Sequence, residues 1–79
     1  MDAKLWGMSG EAYPEKLMLA DNLVRLREKL GISQRELARR AGINRGYVLM
    51  IEDGSANPSL EKLCKLAGVF GVSVTDLLS

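Results

Sequence analysis

The most informative segment of the chain is Ser33 to Gly54, SQRELARRAGINRGYVLMIEDG. Ser33-Gln34-Arg35-Glu36 has the make-up of a capping box, in which Ser33 accepts from the Glu36 backbone N–H and Glu36 reaches back to the N–H of Ser33. Ile32 and Leu37 take the two positions of a hydrophobic staple. Leu37, Ala38 and Ala41 then form the inner stripe of a two-turn helix. Gly42 follows where the backbone turns left-handed and a side chain would be strained. Asn44 is a good N-cap for a second helix, in which Val48 and Ile51 are three residues apart and share a face. The stretch therefore predicts two short helices joined by Gly42, Ile43 and Asn44.

Such a pair fits either an ordinary helical hairpin or a helix-turn-helix, which places its second helix in the major groove of DNA. Ala38 and Gly42 are small where the helices must cross closely at a steep angle, and the connection is short. Both features count against the ordinary hairpin. The segment resembles the lambda-repressor/Cro family, also called XRE, with the pattern S-Q-x-x-L-A-x-x-A-G-[IV]-x-x-x-x-[IV]-x-x-[IL]-E-x-G. Ser33, Gln34, Leu37, Ala38, Ala41, Gly42, Ile43, Val48, Ile51, Glu52 and Gly54 all fall in place, and the resemblance runs from about Leu19 to Leu78. It implies a compact, all-α, five-helix lambda-repressor-like DNA-binding domain.

Composition narrows the function classes. Seventy-nine residues allow one small domain, and 47% hydrophobic residues are enough to fold it. The chain has no histidine, which removes Ser-His-Asp and Cys-His arrangements and most zinc sites. There is no Gly-rich phosphate loop, and an enzyme, a metal or another cofactor is not expected. The single Cys64 cannot form an internal disulfide and lies in an apolar helical pattern, so it reads as buried core. Neither a membrane-length apolar run nor a signal peptide is visible, and a cytoplasmic location is expected. Net charge is only +1, yet Arg35, Arg39, Arg40 and Arg45 face a single acid, Glu36, between Ser33 and Tyr47.

Outside the central stretch, residues 1–13 read as an irregular arm and 14–79 as the DNA-binding domain, with the helix-turn-helix at 33–54. Pro14 suits a first helical turn, and Leu19, Leu23, Leu26 and Leu30 form a helical stripe ended by Gly31. Asn57 or Ser59 can cap a fourth helix with Leu60, Leu63, Ala67 and Phe70 inward and Gly71 as its stop. Gly68 inside that helix marks either a close helix approach or a tolerated cost. Ser73-Val74-Thr75-Asp76 repeats the cap logic and opens a short fifth helix.

In the recognition helix, residues 45–52, Val48 and Ile51 point inward and the opposite face centres on Gly46, Leu49 and Met50. Arg45 flanks that face at the N-terminal end and is the leading base reader, bidentate to guanine, with a phosphate clamp as its other role. Gly46 would let the backbone approach DNA closely. Met50 meets a thymine methyl or stays a partly covered surface residue, and Leu49 is ambiguous in the same way. Tyr47 reaches the DNA backbone or packs on the next helix. The resemblance maps a backbone-contacting glutamine onto Gln34 and base-facing positions onto Arg45, Gly46 and Met50; Arg35 and Asn44 complete the expected backbone set. It also maps an ion pair onto Arg27 and Glu52.

The segment NRGYVLMIEDGSANPSLEKLCKLA looks more narrowly like the controller proteins of restriction–modification systems, which implies dimerisation through the last helices. Antitoxins and prophage regulators carry the same letters. The expectation is a sequence-specific transcriptional regulator that binds double-stranded DNA as a homodimer on a roughly palindromic operator. No membrane and no small-molecule ligand are expected as partners. Phe70, Val74, Leu77 and Leu78 are the dimer candidates, with closure of the monomer core as their alternative. Two rival readings are an antitoxin-like interaction module docking through Trp6 and Tyr13, and the DNA-binding piece of a longer protein.

Overall fold

Each helix of this protein begins and ends where short-range chemistry directs. The computed structural model describes residues 14–79, so the readings made on residues 1–13, Trp6 and Tyr13 included, lie outside the described residues. Those described form five α-helices: α1 Pro14–Leu30, α2 Gln34–Ala41, α3 Arg45–Glu52, α4 Leu60–Phe70 and α5 Val74–Leu78. Ser33, Asn44, Ser59 and Ser73 each accept a backbone N–H from the first turn that follows. Of the two candidates for α4, the cap is therefore Ser59. The reciprocal capping box forms at Ser73 and Asp76. At Ser33 only the first half of the box is made, because the Glu36 carboxylate turns to Arg39 and Arg40.

Gly42 sets the sharp corner between α2 and α3. Its φ of 71° is left-handed, and its N–H and that of Ile43 close onto the last turn of α2 through Arg39 O and Ala38 O. The corner lets α2 pack on α3 while α1 lies against α3 and α5, and α4 against α2 and α5. Leu23, Leu37, Val48, Ile51, Leu66 and Leu77 are the fully buried centre, one or more from every helix. Asn22 on α1 donates its side-chain N–H to Leu77 O at 2.9 Å, satisfying a carbonyl that the short α5 leaves without a helical partner.

The inner stripe of α4 differs from the expected one. Leu63, Leu66 and Ala67 are buried and Phe70 is half-buried, whereas Leu60 is 67% exposed. Leu60 is the first residue of the helix and sits ~70° from the centre of the true stripe, so it projects past the core. The same rotation turns Cys64 outward, and it is exposed rather than core. Leu30 lies on the α1 stripe but is 46% exposed, since the end of α1 overhangs a groove lined by Leu26, Lys29, Val69, Phe70 and Val72. Gly68 is exposed and a Cβ there would meet nothing within 4 Å, so it marks no close helix approach. No described helix is long and apolar enough to cross a membrane.

Candidate nucleic-acid interface

The outer face of α3 starts at its cap. Asn44 Oδ1 accepts the Gly46 N–H at 2.6 Å, which fixes the first turn. A Cβ on Gly46 would lie 3.0 Å from that same oxygen, so the glycine makes room for the cap as well as leaving the helix surface bare. Leu49 and Met50, 47% and 45% exposed, occupy the rest of this face. Val48 and Ile51 are buried beneath it. The side chains expected to face outward are thus brought together on one open surface.

Positive charge beside this face is smaller than the arginine count suggests. Arg39 and Arg40 both bind Glu36, at 2.5 and 2.7 Å, and their hydrogen bonds hold its carboxyl at about 2, well below the ordinary value. Arg35 and Arg45 have no ion-pair partner among the described residues, and both are exposed. They share an open cleft with Arg27, Ser33 and Gln34 between the N-termini of α2 and α3. Helix N-termini carry partial positive charge, so both helices and both arginines favour an anion there.

Behind the cleft, Glu52 ends α3 and is almost completely covered, its side chain 6% exposed. It accepts from Arg27 Nε at 2.7 Å and Nη2 at 3.1 Å, and from Gln34 Nε2 at 2.9 Å. Arg27 Nη1 also donates to Ile32 O at 3.0 Å in the turn before α2. The bond to Glu52 holds the Arg27 pKa above its ordinary value, against burial, which lowers it. The pair therefore locks α1, the α1–α2 turn, the first residue of α2 and the end of α3 into one frame. The Gln34 link to this pair is a contact the sequence reading missed.

Tyr47 is half-buried against the core and carries the Lys62 ammonium 5.2 Å from its ring centroid. Lys62, on α4, was not among the expected site residues. At the far end of the molecule, Leu77 is fully buried in the chain's own core, so it closes the monomer and has no area to offer a second copy. Phe70, Val74 and Leu78 remain half-buried at the surface.

Comparison with known proteins gives this geometry its context. A helix-turn-helix family profile matches residues 23–77. An uncharacterized HTH-type transcriptional regulator of Archaeoglobus fulgidus is 41% identical over 51 residues, 65% of this chain and 73% of the relative. The regulator DdrOP3 of Deinococcus deserti is 39% identical over 62 residues, 78% of this chain but only 48% of its own length. Among solved structures, the restriction–modification controller protein C.AhdI of Aeromonas hydrophila superposes with a TM-score of 0.77 at 34% identity, over 82% of this chain and 98% of the controller. These relatives are named as regulators and not as enzymes, in line with the expectation drawn from the missing histidine. The profile match takes in α2, α3 and the helices that frame them, and the chain belongs to the helix-turn-helix family of DNA-binding transcriptional regulators.

Proposed function

We propose that the chain regulates transcription as a homodimer on a roughly palindromic operator, with α3 in the major groove of each half-site. The observation that carries this reading is that Arg35 and Arg45, beside the bare outer face of α3, have no ion-pair partner among the described residues. Cations that no carboxylate engages are available to neutralise phosphates and release their counterions. Gln34, Arg35 and Asn44 meet the DNA backbone at the helix N-termini, and Arg45 reads a guanine at the groove edge. Gly46, Leu49 and Met50 offer shape and methyl contact only, so readout by side chains is sparse and DNA shape adds to it. One such head contacts little DNA. Two heads related by a two-fold axis, on half-sites ~34 Å apart, supply the rest.

Phe70, Val74 and Leu78 are the apolar surface proposed for the second copy. The structural similarity to a restriction–modification controller supports a switch set by the concentration of the regulator itself. The test is an operator selected from a random duplex pool, then titrated with the unaltered chain and with Arg45→Ala. The variant should bind ~10-fold or more weakly and lose preference for one guanine, since a bidentate pair is worth ~1–3 kcal/mol. Unchanged affinity and unchanged base preference would overturn the reader role of Arg45.

A further inference from the structure

A groove of about 150 Å³ runs beside the first turn of α1. It lies where α1, the α3–α4 loop, α4 and the end of α5 meet. Buried Leu19 and Leu63, with half-buried Pro58 and Leu78, make it largely apolar. Glu15 and Asn57, both exposed, stand at its edge. Small-molecule sites run to ~300–1,000 Å³, so this groove takes about one side chain. A stable subunit interface buries ~800 Å² on each partner, far more than such a groove can supply. It shares no described lining residue with the cleft of Arg35 and Arg45, so an occupant here leaves that cleft open.

The chain carries a fitting side chain close by. Residues 1–13, MDAKLWGMSGEAY, precede Pro14, and Trp6 is the largest apolar side chain among them. Trp6 stands eight positions before α1, a reach of up to ~26 Å, and the groove begins at Glu15. Gly7 and Gly10 lie in between and permit the reversal that returns the chain along the first turn. A tether this short holds the indole at a millimolar effective concentration, which a separate molecule would have to match. An indole has an apolar body and one N–H donor, which suits apolar walls with Glu15 and Asn57 oxygens at the edge. We propose that Trp6 inserts into this groove of its own chain, fastening the arm to the junction of α1, α4 and α5. The inference does not depend on the DNA-binding reading.

Trp6 is the sole tryptophan of the chain, so its fluorescence reports the groove directly. In the full chain, excited beyond tyrosine absorption, the indole should emit at shorter wavelength than free tryptophan and resist quenching by acrylamide. Both properties should be the same at high and low protein concentration. Leu78→Asp puts a charge in the groove and should return emission and quenching to those of free tryptophan, with helical circular dichroism kept. Val74→Asp, on the surface proposed for a second copy but outside the groove, should change neither. Nuclear Overhauser contacts from the indole protons to the Leu63 and Leu78 methyls of the unaltered chain test the placement without any substitution. Water-like emission from the unaltered chain overturns the proposal, as does the absence of those contacts. A folded Leu78→Asp with unchanged emission overturns it too. So does shielding that fades on dilution or is lost equally in Val74→Asp, which would place the indole against a second copy.

Discussion

Glu52 accepts three donors, two from Arg27 and one from Gln34, with little water to share the load. A carboxylate so covered is costly unless every lone pair it turns inward is met, and here the partners meet it. Gln34 gives one amide N–H to Glu52 and keeps its second for another acceptor. A residue proposed to touch DNA is thus aimed by the residue that ends the recognition helix. Glu52→Gln sets an amide N–H against these donors and leaves Arg27 uncompensated. Stability in urea should fall by roughly 3 kcal/mol, the size typical of a broken buried pair. A loss below about 0.5 kcal/mol, which is usual for a plain surface change, would show that the pair is not a structural lock.

At the scale of the helix, α2 manages its own charge. Glu36 ties down Arg39 and Arg40, leaving Arg35 as the cation of α2 without an ion-pair partner among the described residues. The carboxyl is depressed from 4.5 to about 2, chiefly by its hydrogen bonds to Arg39 and then Arg40. A depressed carboxylate contributes stability that is fully present above its unfolded value and lost as pH falls through its folded value. The contribution of Glu36 should therefore fade between about pH 4.5 and 2. Because the group lies at the surface and is only partly covered, solvent screening keeps the effect small and salt-sensitive. Glu36→Gln should flatten that part of a stability–pH curve and, by releasing two arginines, steepen the salt dependence of DNA binding. A variant with the same acid limb and the same salt slope as the unaltered chain would contradict both.

Local signals were the legible ones. Ser33, Asn44 and Ser73 announce caps, and Gly31, Gly42 and Gly71 announce stops, because each acts within a few residues of itself. The stripe of α4 was phased from Leu60, and that start hid Leu66 and misplaced Cys64, since periodicity cannot say which end of a short helix overhangs the core. The Gln34–Glu52 and Tyr47–Lys62 contacts were not legible at all. Their partners are far apart in sequence and are brought together only because α3 and α4 both pack on α2. The Arg27–Glu52 pair is just as distant, and was foreseen only through family resemblance.

Taken whole, the molecule carries a net charge of +1, so attraction to DNA cannot come from bulk charge. It comes from placement. Asp21 engages Arg25 and Glu36 is shared by Arg39 and Arg40 on the surface, while the N-termini of α2 and α3 present Arg35 and Arg45 to one side. Buried Leu77 fastens α5 to the core, and Phe70, Val74 and Leu78 form the modest surface proposed for a second copy. In the proposed dimer, a small interface of that kind would make dimer formation, and hence operator occupancy, depend on concentration.

In the proposed complex, α3 and the start of α2 face DNA. Backbone amide shifts of the labelled chain, followed while a selected operator duplex is added at low salt, test it most directly. The largest changes should fall on Gln34, Arg35 and the segment from Asn44 to Met50, while Leu17 and Met18 at the exposed start of α1 stay unmoved. Changes centred on α1, with α3 silent, would contradict it.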